Sequence, residues 1–155
     1  MEQSNRRKPI AYLLTFSTYG SWLHGDVRGS TGRGCIKRGH EPGLEIHQRE
    51  ALTEPPFKLG QRERAVVREV IEEVCQHRGW TLLAASVSTK HGHVALKGDA
   101  DPEYMLGSLK ARATRILREK GFVHHERKIW NRSGSTKYLW TNDVVDMACR
   151  YVKSH

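Results

Sequence analysis

Cysteine is scarce in this chain: Cys35, Cys75 and Cys149 are all there is, odd in number and far apart. That excludes a disulfide framework and points to a reducing compartment. Long apolar runs are missing too. None approaches the ~20 residues that cross a bilayer, and the start of the chain has no apolar stretch of the signal-peptide kind. A soluble, cytoplasmic protein with no membrane partner is expected. Acidic residues are the third shortage. Lys and Arg number 26 against 17 Asp and Glu, a difference of 26 − 17 = 9. Such a balance favours polyanions, nucleic acid first among them, although basic charge also serves solubility alone. Internal repeats and low-complexity tracts are absent, and 155 residues suit one domain with one ordinary core.

What is present divides readily. Residues 1–9 are polar and end in Arg6-Arg7-Lys8-Pro9, a flexible basic arm. One domain over 10–155 follows. Ile10 to Phe16 is short and rich in strand formers, the first strand. From about 20 to 56 the chain is glycine-dense and irregular, with Arg28, Arg33, Lys37 and Arg38 interspersed. Such a segment is either a surface insertion or a place where arginines hold phosphates. Cys35, His40 and His47 fall here, but their spacing fits no standard zinc site.

Lys58 to Arg78 reads as a helix, with Val67, Val70, Ile71 and Val74 on one face and Gly79 as its stop. Cys75 lies in that apolar pattern, and Cys149 in a later one, as core fillers. Leu82–Ser88 and His91–Lys97 read as strands paired through a turn at Thr89-Lys90. Asp101-Pro102 opens a second helix whose buried stripe is Leu106, Leu109, Ala113, Ile116 and Leu117. Around it lie Lys110, Arg112 and Arg115, a basic face that is either solvated or in contact with backbone phosphates. Two strand-like pieces follow, near 128–130 and 138–140. A last helix starts at about Asp143, with Asn142 as N-cap, and runs to the end. The order β-α-β-β-α-β plus a closing helix predicts an α+β fold: a ferredoxin-like antiparallel sheet with helices on one face.

Two small patterns carry chemistry. His91 and His93 are two apart on a strand and so project to one side of the sheet. Tyr151 and His155 are four apart on a helix and so share one face. Brought together, they offer three imidazole nitrogens for a divalent ion and a phenol beside it, which suits attack on a phosphodiester. Each pattern also has a plain reading. The histidines can be two polar strand residues, and Tyr151 a half-buried packing residue. Trp22, Trp130 and Trp140 are candidates for stacking on unpaired bases or for burial.

Together these residues resemble the HUH single-strand nucleases, and more closely the single-tyrosine HUH transposases, including the REP-associated tyrosine transposases. In that family two histidines flank one residue on a central strand. The tyrosine lies on a late helix, with a polar ligand four residues on. Here Tyr151 follows His93 by 151 − 93 = 58 positions. Leu14-Thr15-Phe16-Ser17-Thr18-Tyr19-Gly20, the strand from Val87 to Leu96, and Leu139-Trp140-Thr141 are also similar to the family. The resemblance implies that His91, His93 and His155 hold a divalent metal, Mg or Mn. It implies that Tyr151 cleaves single-stranded or hairpin DNA through a 5′-phosphotyrosine link. A bacterial, nucleoid-associated protein, working alone or as a homodimer, is the corresponding expectation. The sequence departs from the pattern in two ways: Gly92 stands where the family has a bulky residue, and the sequence ends at His155.

Overall fold

The computed structural model describes residues 7–21 and 52–155. Arg28, Arg33, Lys37 and Arg38, together with Trp22, Cys35, His40 and His47, lie outside the described residues. Among the described residues the elements are β1 (Ala11–Ser17), α1 (Gln61–Arg78), β2 (Thr81–Val87), β3 (His91–Lys97), α2 (Pro102–Glu119), β4 (Ser135–Leu139) and α3 (Asn142–Lys153).

The four strands form one sheet in the order β2-β3-β1-β4, with every neighbouring pair antiparallel. This is the expected α+β, ferredoxin-like arrangement. Side chains alternate across the sheet, and the alternation sorts the molecule into two layers. Leu14 and Phe16 of β1 and Val94 and Leu96 of β3 face α1 and α2, in a core with Val67, Val70, Ile71, Met105, Leu109 and Leu117. Ala11, Leu13, Ala84, Ala95 and Leu139 face the other way, against Val145, Ala148 and Val152 of α3. A bulge between Leu82 and Ala84 turns two successive β2 residues, Leu83 and Ala84, toward α3.

Local signals explain most of the boundaries. Gly79 closes α1 at φ 75°, a left-handed turn that glycine adopts without strain. Asp101 caps α2 by accepting from the Glu103 N–H, with Pro102 in the first turn. Three boundaries differ from expectation. Helix α1 begins at Gln61, not Lys58, because Leu59 is drawn into the core in extended chain just before it. The cap of α3 is Thr141, whose hydroxyl accepts from the Val144 N–H, so Asn142 is already helical. The strand-like piece near 128–130 shrinks to one bridge, Thr18 to Trp130, and β4 starts earlier, at Ser135.

Candidate active site

The histidine strand lies at the centre of the sheet, where register decides its neighbours. His93 stands opposite Thr15 on β1 and Ser86 on β2, and His91 opposite Ser17. All five share the face that carries α3. Gly92 points to the other face, and a Cβ built there would lie 2.0 Å from the Phe16 ring. Phe16 is its cross-strand partner and only 2 % exposed. The aromatic ring therefore fills the space a bulky residue between the histidines would occupy, and the strand loses no core volume at Gly92.

Helix α3 lays its small face, Ala148 with Val145 and Val152, on the alanines of the sheet. Small residues at a helix contact allow close approach, and the last turn reaches the histidines. The His93 ring lies 5.3 Å from the Tyr151 ring and 5.0 Å from that of His155, centre to centre. Tyr151 and His155 are 4.3 Å apart, and His91 and His93 are near-parallel at 6.4 Å. The four residues singled out from the sequence thus meet in one place, within one chain.

Burial pushes the His93 imidazole down to about 4, helped by the neighbouring His155 and His91 rings, so the ring is neutral at pH 7. Its Nδ1 lies 3.1 Å from the Thr15 hydroxyl. With Nδ1 donating to that hydroxyl, Nε2 carries the lone pair. His155 Nδ1 is 2.8 Å from the Tyr151 carbonyl oxygen. A carbonyl only accepts, so this Nδ1 bears a proton and Nε2 is again the open nitrogen. Ser154 donates to the same carbonyl at 2.8 Å, so the end of α3 is tied back on itself. Nitrogen ligands so oriented from behind suit a divalent transition metal. Two imidazoles bound to one ion at ~2.1 Å place their ring centres roughly 5 Å apart, close to the His93–His155 separation and shorter than that of His91–His93. Among the described residues no three His, Cys, Asp or Glu side chains are already gathered tightly enough to grip an ion. The donor types themselves fit a metal.

The other sequence candidates are dispersed. Lys110, Arg112 and Arg115 sit on α2, across the sheet from Tyr151. Lys110 donates to the Asn131 carbonyl at 2.8 Å, and burial lowers its pKa. Arg112 pairs with Glu73 and Arg115 with Glu119, both at 3.0 Å. Trp130 is a packing residue: its indole N–H donates to Thr114 at 3.0 Å, and its ring meets Phe16 edge-on at 5.1 Å. Trp140 remains exposed. Tyr138, the competing phenol, faces Tyr12 on the far side of the sheet. Cys75 is buried and its thiol pushed up to about 11. Two residues beside the site escaped the sequence reading. Thr15 was visible in principle, because β1 parity places it with Leu13 on the α3 face. Asn131 was not. It donates to the Ser17 hydroxyl at 2.7 Å and accepts from the Gly20 N–H at 3.0 Å, bracing the strand end opposite His91.

The geometry has counterparts among known proteins. Residues 57–155 match the family described as "Transposase IS200 like". A REP-associated tyrosine transposase solved bound to a REP hairpin shares the fold at TM-score 0.52 and 13 % identity, over 98 % of this chain and 70 % of that one. A protein of Deinococcus radiodurans R1, assigned to the transposases, does so at TM-score 0.50 and 12 % identity, over 99 % and 96 %. No curated protein matches the chain. No helix among the described residues is long and apolar enough to cross a membrane. With the family match covering well over half the sequence and including every residue of the histidine–tyrosine cluster, the chain belongs to the IS200-like transposase family.

Proposed function

We propose that this protein is a metal-dependent DNA strand transferase that cuts and rejoins single-stranded or hairpin DNA through Tyr151. The observation that carries the reading is the contact of Tyr151 and His155 with His93 across two elements remote in sequence. A packing tyrosine needs no such company. Tyr151 is 46 % exposed at the helix surface, so a polymer can reach its phenol.

His91, His93 and His155 are the residues that would hold a divalent ion, Mg or Mn. Bound there, the ion would polarise a non-bridging phosphate oxygen and offset charge developing in the transition state. Tyr151 Oη attacks phosphorus and gives up its proton. The new Oη–P bond forms as the P–O3′ bond breaks, leaving a 5′-phosphotyrosine and a free 3′-hydroxyl. Attack by a later 3′-hydroxyl reverses the step and rejoins DNA, so no nucleotide cofactor is consumed. Thr15 and the Tyr151 carbonyl hold the imidazoles with Nε2 outward. The contact of the phenol with His93 of its own chain supports a site assembled within one copy.

The test is incubation with Mg or Mn and a labelled hairpin oligonucleotide bearing unpaired flanks. A covalent protein–DNA adduct is expected for the wild type and none for Tyr151→Phe. Tight, salt-dependent binding with no adduct under either metal would instead mark a non-cleaving hairpin-binding protein of the same fold.

A further inference from the structure

Among the described residues six large apolar side chains are exposed: Tyr104, Tyr138, Trp140, Val144, Met147 and Tyr151. Their placement is not scattered. Positions 144, 147 and 151 follow the i, i+3, i+7 spacing of one stripe on α3, whereas Trp140 precedes the helix and stacks on Tyr138, ring centres 6.1 Å apart, on the opposite side of the sheet. Met147, at 66 % exposed, is the most open of them. The stripe lies beside the buried face of α3, not within it, so it plays no part in holding the helix down. It ends on the proposed nucleophile.

The stripe also borders an open part of the sheet. Helix α3 packs mainly over β2 and β3. Tyr151, on this shoulder, reaches His93 on β3, so the shoulder is turned toward β1 and β4. On β4, Ser135 and Lys137 have the same parity as Leu139 and face the α3 side, yet both are exposed. An open trough results, with Val144, Met147 and Tyr151 as one wall and Ser135 and Lys137 along the other.

We infer that this trough seats a short run of unpaired DNA leading into the bond that Tyr151 attacks. The inference rests on the strand-transfer reading and names where that substrate lies. Its occupant follows from chemistry. An apolar and aromatic wall opposite Lys137 suits bases and phosphates together, and the chain carries a net +9. The acidic residues of α3, Asp143 and Asp146, fall outside the stripe by helical spacing. From 144 to 151 the helical rise is about 10 Å, room for roughly three nucleotides at a stacked spacing of ~3.4 Å.

The experiment is fluorescence anisotropy without metal, so that cleavage plays no part. The probes are a labelled hairpin with a five-thymidine unpaired tail and the same hairpin blunt. The wild type should prefer the tailed probe. Met147→Glu and Val144→Glu should each weaken tailed binding about tenfold and leave blunt binding unchanged. Lys120→Glu, beyond the C-terminus of α2, should shift both probes alike. Circular dichroism of Met147→Glu should match wild type, since that side chain is mostly in solvent. Retained tail preference in both stripe variants would overturn the inference. So would a dimer in sedimentation that Met147→Glu converts to monomer, which would assign the stripe to a second copy of the chain. A tail preference lost on substitution, with no Tyr151 adduct under Mg or Mn, would uphold the trough and remove only the chemistry.

Discussion

The two faces of the sheet are built from different materials. Toward α1 and α2 the filling is large: Leu14, Phe16, Leu96, Met105, Leu109 and Leu117, each at most 2 % exposed. Toward α3 it is small, with Ala11, Ala84, Ala95 and Ala148, and it gives way at one end to Thr15, Ser17, Ser86, His91 and His93. The first face buries most of the apolar surface and so supplies most of the hydrophobic drive to fold. The second surrenders some of that drive. In return it lets one helix lie close enough for its last turn to touch a central strand. Stability and chemistry are thus separable here by side of the sheet, and substitutions on the two sides should fail in opposite ways.

The sharpest separation is the largest effect. His91→Ala and His93→Ala should each lower adduct formation by ~1,000-fold or more, a loss of about 4 kcal/mol in the transition state, while DNA binding and melting temperature stay near wild type. Leu109→Ala should do the reverse. It opens a cavity costing about 2–5 kcal/mol of stability, yet adduct formed per folded molecule should be unchanged. Denaturant melts run beside gel assays of the adduct measure both. Stability loss in the histidine variants matching that of Leu109→Ala would mean that the two faces are not separable.

Gly92 sits where the faces meet and probes both at once. Gly92→Val drives a side chain into the Phe16 ring, and overpacking of this kind costs about 1–3 kcal/mol. Because the two residues are cross-strand partners, Phe16→Leu should relieve part of that cost. A double-mutant cycle in urea should then show the pair less destabilised than the sum of the singles. Strict additivity would show that Phe16 does not fill the glycine's space.

This pair also marks what sequence reading can and cannot reach. The strand carrying His91 and His93 was legible to the residue, because a histidine pair between turn residues and an apolar run has few other forms. The α3 face was legible because the i, i+4 relation of Tyr151 and His155 is local. Phe16 covering Gly92 was not, since it depends on the register of two strands more than seventy positions apart. Nor was the tether of Lys110 to Asn131, by which a residue of the basic α2 face braces the loop before β4. Local periodicity states which side a residue takes. Only the assembled sheet states what it meets there.

Acid should distinguish the faces by a smaller margin. Folded, His93 accepts a proton only near pH 4, against 6.5 in an open chain. Between those values the unfolded chain binds more protons, so stability falls as pH falls. The contribution is complete above pH 6.5 and is lost progressively toward 4, by up to about 3 kcal/mol. Urea melts of chelator-treated protein from pH 7.5 to 4 should show this slope in the wild type and a flatter one in His93→Gln. The Leu109→Ala profile should be shifted down without a change of slope. Identical slopes in wild type and His93→Gln would show that the imidazole is as hydrated folded as unfolded.

Thr15 should give the mildest effect and the most specific one. Its hydroxyl is the only hydrogen-bond partner found for His93 Nδ1 among the described residues. Val has nearly the same shape, so Thr15→Val should cost no more than about 1.5 kcal/mol of stability. What it removes is the partner that selects the ring tautomer and holds Nε2 outward. Losing such a partner behind a metal ligand typically lowers metal affinity or rate by about 10–100-fold. Manganese titration by calorimetry should show that loss for Thr15→Val and recovery in Thr15→Ser, which keeps the hydroxyl. Equal manganese affinity in all three proteins would mean that Thr15 merely packs, and that the orientation of His93 comes from Tyr151 and His155 alone.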